Sequence, residues 1–386
     1  MDTNELKKQF IDLYGNPERS PDLYFAPGRV NLIGEHTDYN GGFVFPCALQ
    51  HGTYLFIRRR DDGLLRFTSA NQDFRADIPL EKAGEKSGGN WINYPLGVID
   101  QFRQKGIAPA GFDMLFAGDI PNGAGLSSSA SIEMVTAYAL NELLGGGMMV
   151  LDLIKLSQKA ENEFVGVNCG IMDQFAVGMG EKDHAIFLNC LTLDNKLVPF
   201  VLNGYKLIIG NTNKKRGLAD SKYNERVAEC QLAVTYLGDH FGVHKLGEIS
   251  FMQFFKVQDI VPDETVRRRA RHVISENQRV LNAVAALWKS DVVQFGALMN
   301  ASHESLRDNY EVTGPELDAM VEEAWKINGV VGSRMTGAGF GGCTVSIVRD
   351  DAVEQFMNEV GKNYRERTGL TPEFYTAEVS QGVRKL

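Results

Sequence analysis

Residues 121 to 131 read Pro-Asn-Gly-Ala-Gly-Leu-Ser-Ser-Ser-Ala-Ser, a glycine-rich stretch that leads into a row of serines. Gly123 and Gly125 have no Cβ, so the backbone there can turn sharply and bring its N–H groups close to a bulky anion. Apolar residues at helical spacing follow, including Ile132 and Val135, and they predict a helix that begins at the serines. A helix N-terminus favours phosphate, because its N–H groups are unpaired and the helix dipole is positive there. Ordinary helix capping explains the same residues, so the stretch alone does not decide between the two interpretations.

The size and charge of the chain limit the classes of protein to which it can belong. It has 386 residues, too many for one compact core, so we expect two domains. The formal net charge of -9 argues against a nucleic-acid surface and favours a protein that binds small molecules. The N-terminus is charged throughout, and no apolar run approaches the ~20 residues of a membrane span, so we expect a cytoplasmic protein without a membrane partner. The cysteines are scattered and form no C-x-x-C pair, which indicates neither a disulfide framework nor a zinc site.

The first half of the chain mixes expected hairpins with helices. Strands are expected at 43–48, 53–58 and 64–69, and a turn at Asp61-Asp62-Gly63 suggests a hairpin between the last two. Because strands and helices do not strictly alternate, the pattern favours an α+β fold over a doubly wound parallel sheet. We expect the change of domain between candidate strands at 185–190 and 205–211. Residues 220 to about 328 are predicted to be mostly helical.

Residues 26 to 42 read Ala-Pro-Gly-Arg-Val-Asn-Leu-Ile-Gly-Glu-His-Thr-Asp-Tyr-Asn-Gly-Gly and fit neither a helix nor a clean strand. Arg29, Glu35, His36 and Asp38 lie close together there among glycines. Such a cluster on an irregular backbone is typical of a binding loop, although a surface loop with incidental charges has the same composition.

Two other motifs suggest functions that their context does not favour. Gly337-Ala-Gly-Phe-Gly-Gly342 satisfies the dinucleotide pattern G-x-G-x-x-G, but a strand-like segment and not a helix follows, which makes NAD binding improbable. Val266-Arg-Arg-Arg-Ala-Arg271 could suggest nucleic acid, but in an acidic chain we interpret it as a solvated helix face.

Four long motifs in order give the chain a family resemblance. Residues 27–42, 123–130, 169–175 (Cys-Gly-Ile-Met-Asp-Gln-Phe) and 335–343 (Met-Thr-Gly-Ala-Gly-Phe-Gly-Gly-Cys) resemble the sequence landmarks of the GHMP kinases, and most closely those of the galactokinase family within them. The resemblance implies a two-domain α+β architecture, with a mixed sheet and helices in each domain and the active site in the cleft between them. It implies an N-terminal domain at 1–195 and a C-terminal domain at 196–386, the second with a helical region and a ferredoxin-like sheet.

The resemblance also implies a reaction, the ATP-dependent phosphorylation of the anomeric hydroxyl of galactose, with Mg²⁺ as the metal. Asp173 would be the general base, and Arg29 would stabilise charge beside it. The residues implied to bind the sugar are Glu35, His36, Thr37, Asp38, Gly170 and Tyr223. The residues implied to bind ATP are Ser69, Trp91, Tyr94, Gly123, Ala124, Gly125, Leu126, Ser127, Ser128 and Ser129. Ser129 and Glu161 would hold the magnesium ion, since hard oxygen ligands suit it.

Five of these residues have a plainer interpretation. Asp173 would serve equally as a helix-start carboxylate, and Glu161 as an exposed helix carboxylate. Tyr223, Trp91 and Tyr94 could be aromatic residues of the core.

Two rival functions remain open at this point. One is a kinase for an amino sugar or for another GHMP substrate, and the other is a non-catalytic galactose sensor that signals to a protein partner. The intact motifs around Asp38 and Asp173 favour plain galactose and catalysis. We expect a monomer whose partners are galactose and ATP.

Overall fold

The structure, a computed structural model, describes residues 1–15, 20–121, 125–214 and 219–386. The α-helices are α1 (Thr3–Tyr14), α2 (Asn93–Gln104), α3 (Ser128–Leu143), α4 (Val150–Lys159), α5 (Met172–Met179), α6 (Ala219–Phe241), α7 (Phe251–Val257), α8 (Glu264–Trp288), α9 (Val292–Ser305), α10 (Pro315–Trp325) and α11 (Val353–Thr368). The strands are β1 (Asp22–Asn31), β2 (Phe43–Val44), β3 (Pro46–Arg60), β4 (Leu64–Ser69), β5 (Phe74–Pro79), β6 (Gly111–Gly118), β7 (His184–Asn189), β8 (Asn195–Pro199), β9 (Tyr205–Asn211), β10 (Val330–Thr336), β11 (Cys343–Arg349), β12 (Glu373–Ala377) and β13 (Arg384–Lys385).

These strands form three sheets. The first has the order β13-β1-β3-β6-β4-β5, the second β10-β11-β9-β12 and the third β2-β7-β8. In the first sheet β4 and β6 run parallel while the other neighbours are antiparallel, so the sheet is mixed. Helices pack on the first and second sheets, and the predicted α+β class is confirmed. The predicted division at residues 195 and 196 stays a prediction.

Two hydrophobic clusters hold the site in place. The first joins the inner faces of β1, β3, β4 and β6 to helices α2 to α5. The second brings residues from β1 and the segment after it, such as Val30 and Leu32, against β9, β11, α8 and α9, with Phe295 among them. The loop that follows β1 therefore lies between elements from both halves of the chain.

The hairpin predicted between 53–58 and 64–69 is wrong. The two candidate strands exist as parts of β3 and β4, but β6 lies between them and pairs with both. Strands that follow each other across a turn-forming Asp-Asp-Gly usually pair with each other. Their local sequence contains no sign that β6, which begins only at Gly111, lies between them.

The prediction that residues 26 to 42 contain no clean strand is wrong for their first part, since β1 continues to Asn31. Its register with β3 shifts between Pro27 and Arg29, a bulge that breaks the regular alternation of side chains. Gly28 lies in this bulge, where an added Cβ would stand 2.8 Å from the carbonyl oxygen of Leu126. Glycine thus allows β1 to approach the loop before α3, and the Arg29 N–H donates to that same oxygen at 3.1 Å.

The arginine run at 266–271 lies on α8 but is not uniformly solvated, so that interpretation needs correction. Arg269 is 2% exposed and forms ion pairs with Glu229 at 2.8 Å and with Glu311 at 2.6 Å. Its neighbour Arg268 lies nearer the surface and also contacts Glu311, at 2.9 Å. The run therefore joins α8 to α6 and to the segment after α9 through acidic partners that lie far away in sequence.

Gly34 tests how closely the backbone is packed after β1. Its φ is +103°, and an added Cβ would stand 2.7 Å from the Phe43 carbonyl oxygen and 2.9 Å from the Val44 Cα. We expect Gly34→Ala to lower the free energy of unfolding by about 2–5 kcal/mol, from the left-handed backbone and from overpacking together. Gly63→Ala is the control, since Gly63 has φ +67° and nothing within 4 Å, and it should lose only about 1–2 kcal/mol. Equal losses in urea denaturation would contradict the packing argument.

Candidate active site

A cavity of about 500 Å³ opens between the segment around the end of β1, the stretch from the end of α4 to the start of α5, and the turn after β10. It brings together eight of the residues that the sequence predicted for catalysis, sugar binding and metal binding: Arg29, Glu35, His36, Asp38, Glu161, Gly170, Asp173 and Tyr223. They come from the segment around the end of β1, the turn after α4, the start of α5 and the first part of α6. The predicted loop and helix-start positions therefore converge on one space.

Arg29 and Asp173 form a two-pronged ion pair at this cavity. Arg29 Nε donates to Asp173 Oδ1 at 2.8 Å, and Nη2 donates to Oδ2 at 2.8 Å. The remaining Nη1 of Arg29 donates to the Gly125 carbonyl oxygen at 2.8 Å. Asp173 is the second residue of α5, as predicted, and its side chain is 27% exposed. The guanidinium thus fixes the orientation of a carboxylate that still reaches the cavity.

Glu35 is almost fully buried and connects the segment after β1 to the turn between β10 and β11. Its Oε1 accepts from the Gly337 N–H at 2.8 Å and from the Thr336 hydroxyl at 3.0 Å. Its Oε2 accepts from Asn31 Nδ2 at 3.0 Å, and Arg334 forms an ion pair with the carboxylate at 3.4 Å. The carboxylate is therefore held by donors from both halves of the chain, at the wall of the cavity.

His36 has a left-handed backbone, with φ 62°, and a buried ring. Burial, together with the neighbouring His272, lowers the pKa of His36 to about 3, so the imidazole is neutral at physiological pH. Its Nδ1 lies 2.9 Å from the Tyr39 hydroxyl, and the rings of Tyr223 and Tyr310 pack beside it with centroids 5.7 and 4.8 Å away. A neutral imidazole in an aromatic setting is a hydrogen-bonding group without charge, which suits an uncharged ligand.

Asp38 is a carboxyl group at the cavity whose ionisation is strongly affected by its surroundings. Burial and, next, the nearby Asp173 raise the pKa of Asp38 to about 7. Gly170 packs against it so closely that an added Cβ would stand 1.9 Å from Asp38 Oδ2. The glycine thus leaves room for a carboxyl group that is neutral in part near pH 7.

A second carboxylate, Glu161, lies in a single π-helical turn, Ala160–Val165, that continues α4. π-Helical turns of this kind occur often at functional sites, and this one places Glu161 at the cavity wall. Its Oε2 accepts from Gln174 Nε2 at 2.6 Å, and a hydrogen bond from Ser129 also reaches the carboxylate. Burial and the nearby Asp173 raise the pKa of Glu161. Among the described residues no group of three or more His, Cys, Asp or Glu is arranged to hold a metal ion.

The serines lie where the sequence predicted them, at the N-terminus of α3. Ser128 is the first residue of α3, and Ser127 precedes it in a left-handed conformation with φ 60°. Within the described part of the chain the Ser127 side chain caps no helical N–H, and its hydroxyl instead donates to Asp173 Oδ2 at 2.5 Å. The first turn of α3 therefore keeps N–H groups available for an anion. Gly123 and Ala124 lie outside the described residues.

Comparisons with known proteins assign this arrangement to a family. Residues 8–59 match the model of the galactokinase galactose-binding signature, 93–181 that of the GHMP kinases N terminal domain and 283–366 that of the GHMP kinases C terminal. The galactokinase of Fusobacterium nucleatum is 52% identical over 383 residues, covering 98% of this chain and 97% of the relative, and that of Bacillus subtilis is 50% identical over 387 residues, covering 99% and 98%. This chain belongs to the galactokinase family of GHMP kinases.

Solved structures agree with that assignment. The crystal structure of Lactococcus lactis galactokinase complexed with galactose is 43% identical, covers 100% of both chains and superposes with a TM-score of 0.97. A mevalonate kinase structure, 19% identical, covers 93% of this chain and 99% of its own with a TM-score of 0.67, which shows the shared fold alone. The family resemblance and the two-part α+β architecture inferred from the sequence are confirmed.

Nine of the described residues predicted for the galactokinase-family site do not line the cavity. Five of them form the start of α3 and the loop before it, namely Gly125, Leu126, Ser127, Ser128 and Ser129, and the other four are Thr37, Ser69, Trp91 and Tyr94. Thr37 is fully buried, and its hydroxyl lies 2.6 Å from the Phe43 carbonyl oxygen and 2.8 Å from that of Gly34, so that its one hydrogen is donated within the loop. Trp91 packs edge-on against Phe74 and Phe116, with ring centroids 5.4 and 5.1 Å away.

Ser69 ends β4, where its hydroxyl accepts from the Asn71 N–H at 3.2 Å, and Tyr94 is the second residue of α2. Thr37 therefore lies inside the loop after β1, and Trp91 lies at the edge of the first hydrophobic cluster. Their predicted roles in ligand binding stay predictions.

Sequence reasoning missed several residues of the site. Cys169, Asn224 and Ala338 line the cavity, and Gln174 links Glu161 to the buried Glu133, to which it donates at 3.0 Å. Cys169 and Gln174 belong to the motif at 169–175, and their place in that motif could have indicated that they lie at the site. No local pattern points to Asn224 or Glu133.

The raised pKa of Asp38 predicts how stability depends on pH. The ordinary pKa of 3.8 applies to the unfolded chain and about 7 to the folded one, so the folded state binds more protons between these values and loses stability as pH rises through 7. We expect Asp38→Asn, which removes the titration, to stabilise the protein more at pH 8 than at pH 5, by roughly 1–3 kcal/mol after allowance for the partial exposure of the group. Thermal melts at both pH values measure this difference, with exposed Asp61→Asn as the control. An equal gain at both values would refute the assigned environment of Asp38.

Proposed function

We propose that this member of the galactokinase family transfers the γ-phosphoryl group of ATP to the anomeric hydroxyl of D-galactose, which gives galactose 1-phosphate and ADP, the first step of galactose catabolism. The observation that carries the proposal is one cavity in which the Arg29–Asp173 pair meets Glu35, His36 and Asp38. Relatives about 50% identical over their whole length are galactokinases, and a structure that superposes closely is a galactokinase bound to galactose.

Sugar recognition in this proposal depends on fixed donors and acceptors rather than on charge. Glu35 and Asp38 offer carboxyl oxygens, and the neutral ring of His36 offers a hydrogen-bonding nitrogen. Tyr223 closes the cavity from α6, and Gly170 leaves the space that Asp38 needs. Several such groups at fixed positions distinguish one hexose from another by the directions of their hydroxyls.

Asp173 is the proposed base. The anomeric oxygen forms a bond to the γ-phosphorus, the bond between that phosphorus and the bridging oxygen of ADP breaks, and the hydroxyl proton passes to Asp173. Arg29 holds both carboxylate oxygens and presents its positive charge beside the group in transfer. Positioning and electrostatics of this kind supply most of the rate in phosphoryl transfer.

The nucleotide phosphates are proposed to lie at the N-terminus of α3, against residues 123 to 129. Backbone N–H groups and the serine hydroxyls supply hydrogen bonds there without a lysine. Ser69, Trp91 and Tyr94 remain the proposed contacts on the nucleoside side.

The residues present fit a magnesium ion that accompanies ATP. Ser129 and Glu161 already share a hydrogen bond, and a hydroxyl with a carboxylate is a hard-oxygen pair that magnesium accepts alongside phosphate oxygens and water. When bound, the ion would neutralise charge on the phosphates. Gln174 fixes one oxygen of Glu161 and so sets the direction of the other. Within the described residues no helix is long and apolar enough to cross a membrane, and the cytoplasmic location and the monomeric state stay predictions.

A sugar panel tests the proposed function. The purified protein, incubated with ATP and magnesium, should release ADP with galactose and show at most a few per cent of that rate with N-acetylgalactosamine, glucose or mevalonate. A coupled ADP assay measures all four. A higher rate with N-acetylgalactosamine would favour an amino-sugar kinase, while tight galactose binding without ADP release would favour the sensor.

Asp173→Asn tests the proposed base. The amide keeps the size of the side chain but can neither take a proton nor accept both bonds from Arg29, so we expect kcat to fall by at least about 100-fold. Calorimetric nucleotide affinity should change less than about threefold, since the phosphate-binding N–H groups belong to α3. Glu163→Gln, which alters an exposed carboxylate beyond the cavity, is the matched control and should leave kcat unchanged. Wild-type turnover in the Asp173 variant would remove this residue from the mechanism.

A further inference from the structure

The loop that carries the proposed sugar-binding groups has a strained backbone. His36 has φ 62°, a left-handed conformation that costs free energy for any residue with a Cβ, whereas Gly34, with φ +103°, adopts its conformation without that cost. The loop from Gly34 to Asp38 also buries its own polar backbone groups, and a buried N–H or C=O requires a partner. Two of these groups, the Gly34 N–H and the Glu35 carbonyl, find their partners on α8.

Glu276 of α8 accepts the Gly34 N–H at 2.9 Å. Its carboxylate is fully buried and is held in turn by the Ser302 hydroxyl at 2.6 Å and by Arg279 Nε at 2.6 Å. Burial alone would raise the pKa of Glu276, but Arg279 and then His272 lower it to about 2. Glu276 is therefore a charged acceptor with a fixed direction.

His272, one helical turn before Glu276, lies 3.1 Å through Nε2 from the Glu35 carbonyl oxygen. A carbonyl only accepts, so Nε2 carries the hydrogen, and Nδ1 accepts from the Ser305 hydroxyl at 3.0 Å. Burial lowers the pKa of His272 to about 4, which keeps the ring in this neutral form. Ser302 and Ser305, three residues apart on α9, thus fix two side chains of α8, and these fix two successive residues of the loop.

We propose that His272 and Glu276 are positioning residues for sugar recognition, which hold the strained turn at Gly34–His36 so that Glu35, His36 and Asp38 face the cavity. Neither residue lines the cavity, so both act through the loop. The inference rests on the proposed function, because it assigns the sugar to this loop and the nucleotide to the N-terminus of α3.

Because the sugar and the nucleotide are assigned to different elements, the KM for galactose can change while the KM for ATP does not. A merely structural role for His272 or Glu276 would not produce that difference. Loss of either anchor should weaken the use of galactose while the use of ATP stays near its original level. A general loss of stability would lower the amount of active enzyme and leave both KM values as they were.

The experiment compares His272→Leu, which cannot donate to Glu35, with His272→Gln, whose amide nitrogen reaches a similar position. We expect His272→Leu to raise the KM for galactose at least about tenfold, with the KM for ATP changed less than about twofold, because one buried hydrogen bond to the loop is lost. His272→Gln should recover most of the affinity for galactose. Glu276→Gln keeps an acceptor for the Gly34 N–H but turns a donor toward Arg279. Its KM for galactose should lie between those of His272→Leu and His272→Gln.

Val273→Ala is the matched control on the same helix, since Val273 is fully buried in a hydrophobic cluster and makes no hydrogen bond to the loop. It should lower the melting temperature and leave the KM for galactose within about twofold. Hydrogen exchange of the peptide that spans Gly34 to Asp38 gives a second readout, and His272→Leu should speed it at least about tenfold.

The outcomes separate the inference from the function on which it rests. If the unchanged chain does not phosphorylate galactose, the proposed function fails, and hydrogen exchange alone then decides whether α8 holds the loop. If His272→Leu and His272→Gln show the same KM for galactose, or if the KM values for galactose and ATP rise together, the inference is overturned. Unchanged exchange in His272→Leu overturns it as well.

Discussion

The ion pair between Arg29 and Asp173 is the contact on which the rest of the site depends. Arg29 comes from a bulge in β1, Asp173 from the first turn of α5, and the guanidinium also binds the carbonyl of Gly125 in the loop before α3. Three segments that lie far apart in sequence are thus fixed by one side chain. The pair is buried on the arginine side, so removal of the carboxylate would leave a charge without compensation. The contacts that suit phosphoryl transfer therefore also link the three segments to one another.

The cavity concentrates acidic groups in a way that does not favour stability. Asp38 and Glu161 both have raised pKa values, and Asp173 contributes to both shifts after burial itself. Behind them Glu133 is fully buried, and burial followed by Glu161 raises its pKa well above the usual range. Arg29 is the basic side chain that lines this space among the described residues. Such an arrangement is unfavourable for folding alone, and it makes physical sense if the site serves to bind hydroxyl donors and a cation.

Local sequence predicted those features that depend on neighbouring residues. The start of α3 at the serines, the place of Asp173 in the first turn of α5 and the strand after Gly342 all follow from short-range patterns of capping and periodicity. The family motifs then predicted which side chains share the cavity, and eight of them line it. Features that depend on distant partners were missed or wrong, since neither the insertion of β6 beside β4 nor the burial of Arg269 between Glu229 and Glu311 leaves a trace in the nearby residues.

The same limit explains why the second half of the chain contributes more contacts to the proposed sugar-binding loop than its motifs suggest. Glu35 belongs to the first glycine-rich motif, yet its Oε1 accepts from Thr336 and Gly337 of the third. The turn between β10 and β11 is itself packed closely against the segment after α9, since an added Cβ on Gly339 would stand 2.2 Å from the Val312 carbonyl oxygen. Helix α8 holds the backbone of the loop from the other side. A loop held by two elements of the second half cannot take its binding geometry from the first half alone, so the orientation of Glu35 reports how the two halves pack. Sugar affinity should therefore depend on contacts that never touch the sugar, because those contacts decide where the carboxylate points.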